Sequence, residues 1–380
     1  IQRSVIKDSI PPSLTVSTLA DGSRTNNKVL NITGTVSDTN GLKDLTVNNV
    51  VVPVNPDGSY SYALTLASGA NVISIVATDQ FENQSSDSRT IILDETAPKL
   101  EITAPADNSK TALALVTVTG IVDETSIVSV KVGSASQTAT INGMSFSADV
   151  TLVPGANTIE ITATDLAGNT SSQKRTVVYD DRRPDLAITT PSQDTSTSQA
   201  GITIHGTVTD PYTSVTISIA VDSQVYTPQV VNGEFEQFVT FTAEKSYAIV
   251  VSATNEAGTV ASVQRNVIFF TIPATTATPG GGVYCSARSV QLQADKAATI
   301  YYTIDGSTPI DSSSVFSAPL AINSTTTLKY FAKDTAGNSE IVKTQNYTID
   351  PSLPVTTASP GSGTYYSVRS VTLRATKGSI

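Results

Sequence analysis

Apolar and polar residues alternate along most of this chain with a period of two, as in VISIVA (72–77) and IEITAT (159–164). That period places successive side chains on opposite faces of an extended strand, so both runs predict half-buried β-strands. The same kind of strand recurs with a glycine at its centre. NITGTVSD (31–38), TVTGIVDE (117–124) and TIHGTVTD (203–210) place Gly34, Gly120 and Gly206 at intervals of 86 residues. Each then runs into an acidic turn, at Asp38, Asp123 and Asp210.

Further columns repeat on that pitch. DGSYSYALTL (57–66), NGMSFSADVTL (142–152) and NGEFEQFVTF (232–241) open on Asp-Gly or Asn-Gly. These pairs favour the positive φ that tight hairpin turns demand, so each predicts a hairpin. GANVISIVATDQFEN (69–83), GANTIEITATDLAGN (155–169) and KSYAIVVSATNEAGT (245–259) follow. They end in turns built on Asp79, Asp165 and Asn255, residue types that accept bonds from nearby amides. Three units of about seven short strands result, a number and spacing that predict immunoglobulin-like β-sandwiches.

These motifs, T-G-x-V-x-D, G-A-N-x-I and A-T-D-x-x-G-N, resemble those of bacterial Ig-like domains in surface and secreted proteins. The resemblance covers about the first 270 residues and carries no catalytic residues. A fourth unit differs: PGGGVYCSARSVQLQAD leads into ATIYYTIDGSTP (298–309). Its Y-Y-T-x-D-G-S-x-P string resembles the C-terminal domain of chitobiase and β-hexosaminidase, an Ig-like accessory fold. PGSGTYYSVRSVTLRAT then begins that unit again, with Tyr366 where Cys285 stands.

The expected architecture is therefore all-β, a tandem array of Ig-like sandwiches like beads on a string. The boundaries read 10–94, 95–181 and 182–270 for Ig-like units 1 to 3 and 271–350 for unit 4. Residues 351–380 read as the start of a second chitobiase-like domain, and 1–9 as the last strand of a preceding one. The single methionine, Met144, fits a segment of a longer protein. Nine-residue strands at about 3.3 Å per residue make each unit on the order of 30–40 Å long.

Composition narrows the function. The chain has 33 acidic and 23 basic residues, a net charge of −10. That argues against nucleic acid, which needs a basic face. No apolar run approaches 18 residues, so no membrane insertion is expected. His205, the single histidine, lies within an alternating strand and reads as a structural or surface residue. One histidine and one cysteine cannot build a zinc cluster or a disulfide. Cys285 reads as a small, semi-buried residue. No enzyme activity is expected.

The remaining candidate chemistry lies at the junctions. D-x-x-x-P recurs at Asp8, Asp94, Asp180 and Asp350, the first three 86 residues apart. The proline cannot donate to a sheet and stiffens the link. An Ig-like strand order would bring three columns to one pole of each unit: Asp8, Asp38 and Asp79; Asp94, Asp123 and Asp165; Asp180, Asp210 and Asn255. Glu95, Glu124 and Asp181 stand near enough in sequence to add ligands. Clustered carboxylates suit Ca²⁺, a hard cation with six to eight oxygen ligands. The pattern resembles calcium-stiffened junctions of bacterial Ig-like adhesin arrays. The same acids would also serve as turn caps without metal. Phe269 takes the aspartate's place before unit 4, where the expectation is no cation and an apolar contact of Phe269 and Phe270 with unit 4. Thr376 replaces Asp295 in the last unit, so the site at Asp350 lacks that acid.

Three functions fit these residues. The first is a non-catalytic extracellular or cell-surface rod, bacterial in character, joined to neighbouring domains of a longer chain. The second is an accessory stretch of a polysaccharide-active secreted enzyme, with Tyr301 or Tyr302 stacking on sugar. The third is a self-associating fibre or sheath subunit.

Overall fold

A computed structural model describes residues 7–17, 20–353 and 355–376. The strand expected for 1–9 falls largely outside these residues. All regular structure among the described residues is β.

Unit 1 shows the plan. Its strands are β1 (Ser13–Val16), β2 (Arg24–Thr25), β3 (Val29–Ser37), β4 (Leu42–Val47), β5 (Val50–Val51), β6 (Ser59–Thr65), β7 (Gly69–Asp79) and β8 (Gln84–Leu93). One sheet runs β1-β3-β6 and the other β2-β8-β7-β4-β5. The opening segment thus serves both sheets, antiparallel to β3 through β1 and parallel to β8 through β2. This is the strand order of an Ig-like sandwich. Units 2, 3 and 4 repeat it, and unit 2 adds Thr140–Asn142 at an edge. The chitobiase-like sequence of unit 4 therefore builds the same order of strands. Beyond it, Thr356–Ser359 pairs with Thr372–Ala375.

The period-two pattern does what it predicts. In β7, Ile73, Ile75 and Ala77 are buried while Val72 and Ser74 face out. Each unit encloses a buried apolar cluster of its own, and each cluster stops inside its unit: 30–93, 100–177, 188–269 and 290–347. Hydrophobic burial stabilises the units one by one. What ties one unit to the next has to come from other interactions.

Two repeated columns are explained by packing. Gly34, Gly120 and Gly206 stand opposite Tyr60, Phe146 and Phe235 in the strand register. A Cβ on any of the three glycines would come within 3 Å of both that ring and a backbone oxygen of the first strand. The asparagine of G-A-N pins the turn before β7 and its unit 2 counterpart. Asn157 accepts from the Val153 amide and donates to the Val153 and Gly155 carbonyls. Asn71 repeats these bonds with Ala67 and Gly69. Unit 3 lacks the asparagine, and the Tyr247 hydroxyl does the work. It accepts from the Thr242 and Ala243 amides and donates to the Ala243 carbonyl.

Candidate cation sites at the domain junctions

Each junction brings three chain segments together: the linker, the turn after the glycine strand, and the turn after the long strand equivalent to β7. Where the segment leading into unit 1 meets two turns of that unit, carboxylate oxygens of Asp8, Asp38 and Asp79 all lie within 4.8 Å of one another. Local bonds aim them. The Ile10 amide donates to Asp8 and the Asn40 amide to Asp38, both across two residues. The Asn40 side chain also donates to Asp8 at 2.8 Å, linking turn to linker. Asp79 is fully buried and accepts from the Phe81 and Asn83 amides and the Asn83 side chain. Burial works against its charge, but these bonds outweigh burial and hold its carboxyl below the usual range.

Between units 1 and 2 the cluster is Asp94, Glu124 and Asp165, again within 4.8 Å. Asp123 is not part of it. Its carboxylate accepts from the Lys99 amide at 2.7 Å, and its own amide donates to the Lys99 carbonyl. Asp123 therefore closes the pairing of the first two strands, and its neighbour points into the joint. Strict counting would have found this, because Glu124 lies 86 residues from both Asp38 and Asp210. Burial, together with the charges of Asp94, Asp165 and Asp123, raises the Glu124 carboxyl, and Arg24 partly opposes them. Arg24 lies 3.7 Å from Asp94. The two units line a cleft of about 130 Å³ with Arg24, Asp94, Glu124, Thr125 and Leu166. The Asn169 side chain donates to Asp165 and to the Asp94 carbonyl, binding the turn to the linker.

The junction between units 2 and 3 carries two carboxylates and an amide. The Asn255 side chain donates to Asp180 at 3.0 Å, to Asp210 at 3.2 Å and to the Arg182 carbonyl at 3.2 Å. Asp180 and Asn255 are buried. Burial and the Asp210 carboxyl beside it push Asp180 up. Asp210 is held down: burial is outweighed by the Thr213 and Tyr212 amides and by Asn255. Asp181 accepts from the Tyr179 hydroxyl, and Glu95 is exposed; neither belongs to a carboxylate cluster among the described residues.

Before unit 4, register places Phe270 rather than Phe269 in the aspartate column. The Asp94, Asp180 and Phe270 amides donate to Thr25, Thr111 and Thr197, one residue past each parallel pair. The expected contact of Phe269 with unit 4 is not formed. Phe269 packs in the core of unit 3, its ring 5.7 Å from that of Phe241. The linker to Pro273 is one residue shorter than the D-x-x-x-P linkers, so spacing from the proline alone points to Phe269. Asp295 bonds Ala274 as Asp123 bonds Lys99, so Lys296 stands in the Glu124 column. Its ammonium donates to both Glu244 oxygens at 2.9 and 3.0 Å and to the Thr271 carbonyl at 3.0 Å. It also lies 3.5 Å from Asp334, the half-buried turn acid of unit 4. In the last unit Thr376 accepts from the Val355 amide, as Asp295 does from Ala274. Asp350 accepts from the Ser352 amide.

The family model of glucodextranase domain B matches the chain three times, over 12–95, 98–181 and 184–270, the span of units 1 to 3. The chain belongs to this family. A model of the chitobiase/β-hexosaminidase C-terminal domain matches 279–344 in unit 4. Among curated proteins, Bacillopeptidase F of Bacillus subtilis (strain 168) is 32% identical over 139 residues, 36% of this chain. The match spans a tenth of that protein's length. A tetra-tandem repeat from the extending region of a large adhesion protein is 22% identical, with 90% of this chain and all of that one covered at a TM-score of 0.35. The ICAM-5 D1–D4 ectodomain fragment covers the same shares at 13% identity and a TM-score of 0.46. Identities of this size concern fold alone.

In the chitobiase-like unit, Tyr302 packs against the core, while Tyr301 stacks on Phe331 with ring centroids 5.2 Å apart. Cys285 is exposed, not semi-buried, because the Tyr284 beside it takes the inward place. In the glucodextranase B-like unit 3, His205 is part-exposed and lies 3.5 Å from Glu236 on the adjacent strand.

Proposed function

We propose that this chain is a non-catalytic, extracellular spacer of a bacterial surface or secreted protein, in which Ca²⁺ ties the first two joints. One observation carries the reading. Three sequence columns converge at a joint from three separate segments, and at two joints each column supplies a carboxylate. The buried apolar clusters stop inside the units, so polar ties at the joints bear on how one unit is held to the next. The clustered carboxylate oxygens and a raised Glu124 suit a hard divalent cation, which would take over from Arg24 the balancing of Asp94. Bound there, the cation would join the linker to two turns of the following unit and cancel their mutual repulsion.

The test is calcium titration by calorimetry, with melting in millimolar Ca²⁺ and in excess EDTA. Binding to the native state raises the melting temperature. Absence of heat, with superimposed melts, would reject the cation and leave the acids as turn caps.

A second reading draws on the matched families, both named for glycoside-cleaving enzymes. In it the units are accessory domains that keep a polysaccharide-active partner near its substrate, with Tyr301 as the stacking ring. Retention on insoluble chitin or glucan, lost in Tyr301→Ala, would favour it.

A further inference from the structure

We infer that Asn255 and Lys296 are built-in substitutes for the cation, so that units 2, 3 and 4 form a block that stays tied without metal while the joint between units 1 and 2 responds to it. The second half rests on the calcium reading above. The first half rests only on the two side chains.

Asn255 stands in the column of Asp79 and Asp165. All three use one oxygen in the same way, to accept the amide four residues on: Asn83, Asn169 or Thr259. That bond decides which way the Asn255 amide points, because only its carbonyl oxygen can accept. The nitrogen then replaces the second carboxylate oxygen. It donates to the linker acid Asp180, the turn acid Asp210 and the linker carbonyl of Arg182. These are the segments a cation would bridge. The usual partner of the turn acid is also absent, since Thr259 replaces Asn83 and Asn169, and its hydroxyl donates to Arg182 as well.

Lys296 achieves the same end with a full charge. It occupies the column of Glu124 and gathers Glu244 of unit 3, the linker carbonyl of Thr271 and Asp334 of unit 4. Glu244 is further held by the Thr271 hydroxyl. The columns thus hold three carboxylates at each of the first two joints, two carboxylates at the third, and one carboxylate with one ammonium at the fourth. The third joint has other ties. Lys110 of unit 2 pairs with Glu256 of unit 3 at 3.2 Å, and the Tyr212 ring lies over Gly155, where a Cβ would be 3.2 Å away.

The test uses the full chain with Cys285→Ser and pairs of spin labels at exposed Ser61, Ser147, Thr240 and Ser289, one per unit. Distance distributions across each joint are compared in Ca²⁺ and in EDTA. The expected result is at least a twofold broadening in EDTA between Ser61 and Ser147 alone. Broadening of the Ser147–Thr240 or Thr240–Ser289 distributions in EDTA would overturn the substitutes. Should no joint respond, the calcium reading fails, and the substitutes are judged by variants. Asn255→Leu must broaden the third joint and Lys296→Met the fourth, in either buffer; unchanged widths overturn the inference. Asn255→Asp must make the third joint narrow in Ca²⁺ and broad in EDTA if both halves hold.

Discussion

Phe146 fills the space in which a side chain on Gly120 would stand: a Cβ there would lie 2.4 Å from the ring and 2.3 Å from the Glu101 carbonyl oxygen. Gly120→Ala therefore forces both a ring and a strand to move, at a cost of about 1–3 kcal/mol. Hydrogen exchange over 115–122 should accelerate accordingly. Adding Phe146→Leu relieves the ring but not the strand, so recovery should be partial. Complete recovery would show that the ring alone demands the glycine.

Asn157 is the second local determinant of unit 2. It is buried, and its loss strands the Val153 amide and two carbonyls. Asn157→Ala should destabilise unit 2 by about 2–3 kcal/mol, the cost of leaving such groups unpaired. Denaturant unfolding of the variant checks this, and units 3 and 4 should keep their transitions.

The two neighbouring acids of the second joint should separate cleanly. Glu124→Gln should weaken calcium binding there by about tenfold or more, since charge count tunes such affinity. Asp123→Asn should leave calcium binding nearly unchanged while loosening the pairing at Lys99. Calorimetry on both variants decides. A larger calcium defect in Asp123→Asn would return the ligand role to Asp123.

Acidification should act in opposite directions with and without the cation. The folded Glu124 value is raised, so its contribution is fully present below the ordinary glutamate range and lost as pH rises through the raised value. Asp165 behaves oppositely: burial is outweighed by the Asn169 bonds, its value is lowered, and its contribution is lost only as pH falls through that lowered value. In EDTA, stability of unit 2 should rise on going from pH 7 toward the glutamate range, then fall in stronger acid. In Ca²⁺ protons compete for the ligands, so the gain from calcium should shrink over the same span. Glu124→Gln should reduce the rise in EDTA, leaving only the part contributed by Asp180, whose value is also raised.

Tyr301 and Tyr302 adjoin in sequence yet should respond differently. Tyr302→Ala removes a ring packed on the core of unit 4 and should cost about 2 kcal/mol. Tyr301→Ala removes a stacking contact with Phe331, worth about 0.5–1.5 kcal/mol. Melting of both variants, with polysaccharide retention measured alongside, separates a packing ring from a binding ring.

Much of the fold is legible in the sequence itself. Alternation located Ile73, Ile75 and Ala77 in the core, and the 86-residue pitch located the units, because strand periodicity and local turn chemistry are written in neighbouring residues. The junction acids were legible as columns for the same reason. The Asp8, Asp38 and Asp79 grouping needed only the strand order of an Ig sandwich.

Other features arose only on folding. Whether Asp123 or Glu124 faces the joint depends on which carboxylate the Lys99 amide claims, a contact between strands 24 residues apart in the chain. Phe269 turns into its own core because register places it inward, whatever its distance from the next proline. The role of Lys296 could not be read from any motif, since its partners come from a turn of unit 3, the linker and a turn of unit 4. Strands are specified by local alternation, whereas a joint is specified by side chains that meet only after two domains have formed.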